Sequence, residues 1–201
     1  MSSGALPAAL EVADASWVTD RLLVGGDLDL FDHDLAGRQL LELTAAGVTH
    51  IVDLRLECND EEFVTEQERG IAYRWLGIDD AGQVIPDEWF DQAVGYVLEA
   101  LEDQHAVVLT HCHMGINRGP SLGYAVLLAQ GWDCVEAIAI IRAARPIAYA
   151  AYAEDALRWH HGRHHVAPME RRADRERLRQ WRADNSVDLV RVIAERRLYE
   201  D

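Results

Sequence analysis

The amino-acid sequence predicts an α/β domain with a central, mostly parallel sheet flanked by helices. Short apolar, β-branched runs alternate with helical stripes along the chain, which is the pattern of a sheet covered on both faces. The clearest run, Ala106 to Thr110, leads through a glycine-containing loop into a second apolar segment. The chain has 201 residues, of which 49% are hydrophobic, and this composition favours a folded domain over a disordered chain.

Before that loop, the residue pattern predicts strands and helices in turn. Apolar residues at three- and four-residue spacing mark the helices, and Gly47 and Gly70 are suited to end the first two. The expected elements are two short strands within residues 17–26, a helix from Leu35 to Ala46, a strand from Val48 to Leu54, an exposed helix from Asn59 to Glu68, a strand from Ile71 to Ile78 and a helix from Asp87 to Leu101.

After the loop, the sequence predicts helices only. Pro120 suits the first helical position, because its missing N–H has no intrahelical partner there. The expected helices run from Leu122 to Ala129, from Cys134 to Ala144, from Tyr149 to His160 and onward from Pro168, with a break at 184–186 and a last helix capped by Asn185 or Ser186 that carries the apolar stripe Val187, Val190, Ala194 and Leu198. Residues 1–15 are small and unpatterned and are expected to form a flexible tail.

Charge and composition exclude several classes of partner. Acidic residues outnumber basic ones by 16 and the chain has no lysine, whereas a nucleic-acid binder has a basic surface. Up to Thr110 the net charge is −18 (5 Arg, 23 acids) and beyond it +2 (14 Arg, 12 acids), so an anion site is expected in the second part. No apolar run approaches the ~20 residues of a membrane span. The N-terminus lacks a signal-peptide pattern, and only three cysteines are present, so a cytoplasmic protein without membrane contact is expected.

The loop after Ala106–Thr110 is the segment that indicates chemistry. Cys112 is followed after five residues by Arg118, between a buried strand and a helix. Gly115 lets the backbone turn so that the amides of residues 113–118 converge on one point, where they can bind an anion. The start of the helix adds its positive end, and the guanidinium of Arg118 matches two oxygens of a phosphate.

Cys112 lies in the same positive field, which favours the thiolate over the thiol. A thiolate beneath a bound phosphate can attack phosphorus and form a phosphocysteine, provided that an acid protonates the departing oxygen. His111, beside the nucleophile, is better placed to orient or electrostatically support Cys112 than to donate that proton. The sequence therefore predicts phosphate-ester chemistry at this loop.

The loop and its context resemble a known family. His111-Cys112, then five residues, then Arg118, placed after a buried strand, resembles the signature of the cysteine-dependent protein tyrosine phosphatases. The small size resembles their dual-specificity branch. The resemblance extends from about Trp17 to about His160, which places a dual-specificity-phosphatase-like catalytic domain at 16–165 and a C-terminal helical extension at 166–201. That extension packs back on the domain, forms a dimer contact or covers the active site, and the sequence leaves all three open.

Two further segments carry the resemblance. The family's general acid is an aspartate in a loop before a helix with a Trp-Phe or Tyr-Phe pair, and here Asp80 precedes Trp89-Phe90 at the expected distance, with Asp79 as the alternative. Arg145-Pro146 follows the second helix beyond the loop, as in the family. One position departs from it, because the family usually has Ser or Thr directly after the arginine and this chain has Gly119.

The resemblance implies a phosphate monoester hydrolase, a protein tyrosine or dual-specificity phosphatase that needs no cofactor and no metal. A phosphorylated protein is the expected substrate, and the oligomeric state is left open. The implied catalytic residues are Cys112, Arg118, Asp80 and His111, and the implied phosphate-binding residues are His113, Met114, Gly115, Ile116, Asn117 and Arg118.

Other interpretations stay open at this point. Because of Gly119, a phosphoprotein-binding module with little turnover is one alternative. A phosphoinositide or small-molecule phosphatase is the other, although relatives of that kind tend to carry lysines in the loop. Zinc binding by His111, Cys112 and His113 is disfavoured, because a cation would be repelled by Arg118 in the same loop. Some family members keep a second cysteine that forms a reversible disulfide with the nucleophile, and Cys58 is the residue that could do so here.

Overall fold

In the computed structural model, residues 6–67 and 70–197 are described, and they form an α/β fold of five strands and eight helices. The strands are β1 (Ala15–Trp17), β2 (Leu22–Gly25), β3 (His50–Arg55), β4 (Ala72–Ile78) and β5 (Val108–His111). The helices are α1 (His33–Ala45), α2 (Glu61–Gln67), α3 (Asp87–Ala100), α4 (Arg118–Ala129), α5 (Cys134–Ala144), α6 (Ala153–Arg163), α7 (Pro168–Asp184) and α8 (Leu189–Arg197). None of these described helices combines the length and the apolar character that crossing a bilayer requires.

The sheet has the order β1-β2-β5-β3-β4, with β1 antiparallel to β2 and every other pair parallel. The predicted mostly parallel α/β sheet is therefore confirmed. Strand β5 is central, and its last residue, His111, pairs with Gly25 of β2 and Asp53 of β3. The carboxyl ends of three strands thus meet around the segment that follows β5, which is where ligands bind in open parallel sheets.

The side chains of successive strand residues are buried on opposite faces of the sheet. On one face, Val52 and Leu54 pack in the larger core with α3, α4, α5 and α6. On the other face, Ile51 and Leu109 pack in a smaller core with α1 and α2. Helix α4 is buried almost along its whole length, so the loop that precedes it is fixed between two rigid elements.

Two helix starts differ from the sequence prediction. Helix α4 begins at Arg118, so Pro120 is its third residue rather than its first; a proline is tolerated there because the first turn has no intrahelical N–H bonds to lose. The helix expected from Tyr149 begins only at Ala153. Ala150 has a positive φ of 51°, and this left-handed conformation cannot continue a helix.

The ends of the chain also differ from expectation. Within the predicted tail, the carboxylate of Glu42 accepts hydrogen bonds from the backbone N–H groups of Glu11, Val12 and Ala13, whereas residues 6–9 are exposed. Residues 1–5 lie outside the described part. Helix α7 packs on α5 and α6 and buries Leu178, as one of the open alternatives supposed.

The last helix starts later than predicted. Asp188, not Asn185 or Ser186, accepts the N–H of Arg191 in its first turn. Val190 is 82% exposed, so the predicted apolar stripe is not a buried face; Leu198 lies outside the described residues. Instead, Arg196 of α8 donates two hydrogen bonds to Asp14 at 2.9 and 3.0 Å, and this ion pair joins the two ends of the described chain.

Candidate active site

The loop of residues 112–117 leaves β5 and enters α4 at Arg118. Cys112 is only 2% exposed at the base of this loop, and its N–H donates to the carbonyl of Gly25 at 3.3 Å. Gly115 has a φ of 62°, and a Cβ at this position would lie 2.5 Å from the carbonyl carbon of Gly25. Only glycine fits, because both the positive φ and the close approach exclude a side chain.

Arg145 holds the loop from behind. Its Nε donates to the carbonyl of Gly115 at 2.8 Å and its Nη2 to that of Met114 at 2.9 Å. Carbonyl groups that point to Arg145 are turned away from the concave side of the loop, which leaves that side to N–H groups. Asp14 accepts from Arg145 at 2.8 and 3.0 Å, so the tail segment contributes to the support of the loop.

Arg118 is buried, and two of its three guanidinium nitrogens are hydrogen-bonded to described residues. Its Nη1 and Nη2 each donate to one oxygen of Glu57 at 2.7 Å, and Nη1 also donates to the carbonyls of Ile78 and Leu54 at 3.0 and 3.4 Å. Its Nε is buried and has no hydrogen-bond partner among the described residues.

The ion pair between Arg118 and Glu57 keeps both groups charged. Hydrogen bonds from Arg118 lower the pKa of Glu57 to about 2. Burial opposes the charge on Arg118, but the hydrogen bonds with Glu57 and the charges of Cys112, Glu57 and Asp80 hold its pKa above the usual value. A buried donor without a hydrogen-bond partner is costly in a folded protein, and this one could donate to an anion.

Asp80 lies against the loop, and Asp79 does not. An oxygen of Asp80, Oδ1, accepts from the hydroxyl of Tyr152 at 2.9 Å, and Oδ2 lies 3.7 Å from Nε of Arg118. The side-chain amide of Asn117 approaches both oxygens at 3.4 and 3.5 Å. Asp79 turns its carboxylate to the N–H of Asp80. Of the two predicted acids, Asp80 is the one beside Arg118.

His111 is buried behind the loop. Its Nε2 lies 3.8 Å from Oδ1 of Asp53, and its Nδ1 has no hydrogen-bond partner among the described residues. Burial raises the pKa of Asp53, but the charges of His111 and Arg55 and the hydrogen bonds from Arg55 and Tyr73 outweigh burial and hold it below its usual range. His111 thus lies behind the loop, next to Asp53, and its role as a group that supports Cys112 stays a prediction.

The comparisons with known proteins decide the family. Residues 36–152 match the family described as "Dual specificity phosphatase, catalytic domain". The chain belongs to this family. The resemblance that the cysteine and arginine of the loop indicated is thus confirmed, and the family is one of phosphatases.

Solved structures of the family share the fold at low sequence identity. A crystal structure of PTPMT1 in complex with PI(5)P has a TM-score of 0.60 and 18% identity, over 73% of this chain and 94% of that chain. Human DUSP28 has a TM-score of 0.60 and 18% identity, over 79% and 98%. Tk-PTP in the active form has a TM-score of 0.57 and 21% identity, over 72% and 94%.

Gly119, where the family usually has a hydroxyl, is closely packed. A Cβ there would lie 3.0 Å from the carbonyl oxygen of Thr110 and 3.1 Å from Cα of His111. The hydroxyl of Ser121 accepts from the N–H of Tyr152 at 3.2 Å, and no hydrogen bond joins it to Cys112 among the described residues. The start of α4 thus sits closer to the end of β5 than a side chain at position 119 would comfortably allow.

One group of potential metal ligands occurs among the described residues. Atoms of Asp53, Asp60 and His111 all lie within 4.8 Å of one another. The guanidinium of Arg55 already occupies the space between the carboxylates, with Nη2 2.7 Å from Asp53 and 2.6 Å from Asp60. Because this positive charge neutralises the carboxylates and would repel a cation, the group is an ion-pair cluster and does not fit a metal.

A groove of about 880 Å³ adjoins the loop at His113 and Met114. Seven carboxylates line it, among them Asp29, Asp32 and Glu57, against two arginines. His113 is held at its edge, with Nδ1 2.9 Å from Asp27. Several of the seven are ion-paired with arginines, among them Asp14, Asp27, Glu57 and Asp60, so the surface beside the loop is acidic on balance. Cys58, an exposed free thiol, also lines the groove, and its proposed disulfide with Cys112 stays a prediction.

Sequence reasoning missed Glu57 and Tyr152. Both reach the site from distant positions, 61 residues before Arg118 and 72 residues after Asp80. The only signal for Glu57 was its position three residues after the end of a strand that was expected to lie in the sheet. Tyr152 was placed inside a predicted helix, where nothing distinguished it from a core residue.

Proposed function

We propose that this chain hydrolyses phosphate monoesters through a phosphocysteine on Cys112. The observation that carries the proposal is the buried Nε of Arg118, which has no hydrogen-bond partner in the described part of the chain and lies next to Asp80 and in the electrostatic reach of Cys112. Every other guanidinium nitrogen of Arg118 already has a partner. An anion that accepts from Nε and from the loop amides of residues 113–118 would satisfy this donor.

In the first step, the thiolate of Cys112 attacks phosphorus. A bond from sulfur to phosphorus forms as the bond from phosphorus to the ester oxygen breaks, and the departing oxygen takes the proton of Asp80. Arg118 and the loop amides bind the phosphoryl oxygens, where negative charge is concentrated in the transition state. Asp80 leaves this step as a carboxylate.

In the second step, water releases the phosphate. The carboxylate of Asp80 takes a proton from a water molecule while the oxygen of that water bonds to phosphorus. The bond from phosphorus to sulfur breaks and returns the thiolate of Cys112. Inorganic phosphate leaves, and the enzyme regains its starting protonation state. His111 supports the nucleophile from behind the loop throughout.

A phosphorylated protein suits the surface better than an anionic lipid. Arg118 is the only basic residue other than histidine in the loop, and the adjoining groove is lined by seven carboxylates. PTPMT1, with a similar fold, was crystallised with PI(5)P, and this keeps a phosphoinositide as the alternative substrate. The acidic groove opposes a polyanionic headgroup and favours a peptide with basic residues near the phosphate.

A phosphoprotein-binding module is the second candidate, and Gly119 is the observation that favours it. Without a hydroxyl after Arg118, the thiolate has one stabilising hydrogen bond fewer when it departs from phosphorus. A protein that forms or binds the phosphorylated state but releases it slowly would act by binding more than by turnover.

The deciding experiment compares wild type with Cys112→Ser in the presence of a chelator, on nitrophenyl phosphate, on a phosphotyrosine peptide with flanking arginines and on PI(5)P. We expect turnover that vanadate inhibits, that Cys112→Ser abolishes, and that is higher on the peptide than on the lipid. Peptide binding without turnover would favour the module. Higher turnover on the lipid would contradict the protein substrate.

A further inference from the structure

We propose that Tyr152 is a positioning residue that fixes which oxygen of Asp80 faces the phosphate site; this rests on the proposed function. The hydroxyl of Tyr152 donates to Oδ1 of Asp80 at 2.9 Å. The other oxygen, Oδ2, is the one that lies 3.7 Å from Nε of Arg118. With Oδ1 engaged, Oδ2 is the atom directed to the departing oxygen.

The carboxylate needs such a contact, because its terminal torsion is broad and twofold in character. The amide of Asn117 approaches the two oxygens almost equally, at 3.5 and 3.4 Å, and so does not distinguish them. Tyr152 bonds only one. A proton-transfer group that rotates away from its acceptor loses rate steeply, because the productive geometry is narrow.

Tyr152 is itself held rigidly. It is a buried residue at the start of α6, and its backbone N–H donates to Ser121 Oγ at 3.2 Å. The N–H of Gly82 donates to its hydroxyl oxygen at 3.3 Å, so the hydroxyl proton points elsewhere. The other acceptors in reach, the Asp79 carbonyl at 3.3 Å and Gln83 Oε1 at 3.5 Å, are farther away and uncharged.

The hydroxyl keeps its proton over the range in which the enzyme would work. Burial and the hydrogen bond to Asp80 raise the pKa of Tyr152 to about 12. Tyr152 is therefore a neutral donor at every pH at which the protein would be assayed.

A second contact fastens the other end of the same loop. The N–H of Ile85 donates to Asp155 at 3.1 Å, and the carbonyl of Ile85 accepts from Arg158 at 2.7 Å. The segment that carries Asp80 is thus tied to residues 152–158 at both ends. Of these contacts, only the one made by the hydroxyl of Tyr152 involves the carboxylate of Asp80.

A double-mutant cycle tests the role. Wild type, Tyr152→Phe, Asp80→Asn and the double variant are assayed on phenyl phosphate, whose leaving group needs a proton, and on dinitrophenyl phosphate, whose leaving group does not. We expect Tyr152→Phe to lower kcat/KM about tenfold on phenyl phosphate, because it removes a hydrogen bond to a carboxyl group that becomes charged as it gives up its proton, and less than about twofold on dinitrophenyl phosphate. In the Asp80→Asn background it should have less than about a twofold effect on either substrate.

Tyr149→Phe, three residues earlier, is the matched control and should leave both rates unchanged. Equal losses on the two substrates, or losses that multiply in the double variant, would overturn the positioning role and assign Tyr152 to packing. If wild type hydrolyses neither ester, the proposed function itself fails and Tyr152 has no acid to position. An active wild type with an additive double variant overturns only the role of Tyr152.

Discussion

Glu57 and Arg118 form a bidentate ion pair in which each carboxylate oxygen lies 2.7 Å from one terminal nitrogen of the guanidinium. The pair engages both terminal nitrogens of the guanidinium, and Nε has no hydrogen-bond partner among the described residues. Two parallel hydrogen bonds fix the plane of the guanidinium as well as its position. The pair therefore sets the orientation in which Arg118 meets an anion.

Glu57→Gln should weaken the hold on the orientation of the Arg118 guanidinium. We expect kcat/KM to fall about tenfold, because a neutral amide can accept only one of the two hydrogen bonds and carries no charge. Since the pKa of Glu57 is about 2, the carboxylate is ionised across the assay range and the loss should be the same from pH 5 to pH 8. Steady-state kinetics and vanadate inhibition measure the effect.

Glu61→Gln, at the exposed start of α2, is the control and should behave as wild type. A Glu57→Gln variant with unchanged vanadate affinity would show that Arg118 does not depend on this partner.

Asp80→Asn should lower turnover on a phosphotyrosine peptide by about 10²–10⁴, the usual contribution of a positioned acid. The loss should shrink on esters whose leaving group needs no proton. Asp79→Asn is the matched control, because the neighbouring carboxylate points to a backbone N–H instead of the loop. A larger and more leaving-group-dependent loss in Asp79→Asn would move the acid by one residue.

Gly119 predicts slow release of phosphate from the phosphocysteine. A hydrogen bond to a charged group contributes about 1.5–3 kcal/mol, so its absence should slow the second step by roughly ten- to a hundredfold. We expect a burst of nitrophenol of about one equivalent per enzyme before the slower steady state. Rapid-mixing absorbance measures the burst.

Restoring the hydroxyl has a steric cost, because a Cβ at position 119 would lie 3.0 Å from the Thr110 carbonyl oxygen. Gly119→Ala carries that cost without the hydroxyl and is the control for Gly119→Ser. The serine variant should turn over faster than the alanine variant and show a smaller burst. Equal rates in the two variants, with no burst in wild type, would show that the missing hydroxyl has no kinetic consequence.

Asp14 should make the stability of the fold depend on pH. Burial raises its pKa, but hydrogen bonds and charges from Arg145 and Arg196 outweigh burial and hold it below 3.8, its value in an unfolded chain. A carboxyl group whose pKa is lowered by folding stabilises the fold at pH values above its pKa in the unfolded chain. This stabilisation is lost as the pH falls through its pKa in the folded protein.

Asp14→Asn should therefore lower the free energy of unfolding by about 1–3 kcal/mol at pH 7, and the difference from wild type should shrink below about pH 3.8. Urea denaturation at pH 7 and at pH 3 measures it, with Asp20→Asn, in an exposed turn, as the control. If the two proteins differ in free energy of unfolding by the same amount at both pH values, the charge of Asp14 does not contribute to stability.

The parts of the site that lie next to each other in sequence could be predicted, and those that meet only through tertiary packing could not. The strand, the loop and Arg118 are contiguous, so the chemistry of each residue and its spacing determine the arrangement. Asp80 was placed by family resemblance. Glu57 and Tyr152 approach Arg118 and Asp80 from other elements, and their roles depend on strand order and on where a helix begins.

The predicted helix boundaries were wrong where the backbone conformation of a single residue determines them. Ala150, with its positive φ, delays α6 to Ala153 and so leaves Tyr152 free to face the acid loop, although alanine gives no such signal in a sequence. The tail was predicted to be flexible because it has no periodic pattern, yet Glu42 binds three of its N–H groups. Backbone hydrogen bonds to a distant side chain leave no trace in the composition of the segment that they hold.

The central claim is that Cys112 carries the phosphoryl group during turnover, and acid quenching of the reaction followed by peptide mass spectrometry tests it most directly. Wild type mixed with nitrophenyl phosphate in a chelator and quenched during the burst should show one phosphoryl group on the peptide that contains Cys112. Cys112→Ser should show no turnover, and Asp80→Asn should still form the adduct from this activated ester. Chelator-resistant turnover that survives in Cys112→Ser, or a phosphoryl group on another residue, would contradict the account.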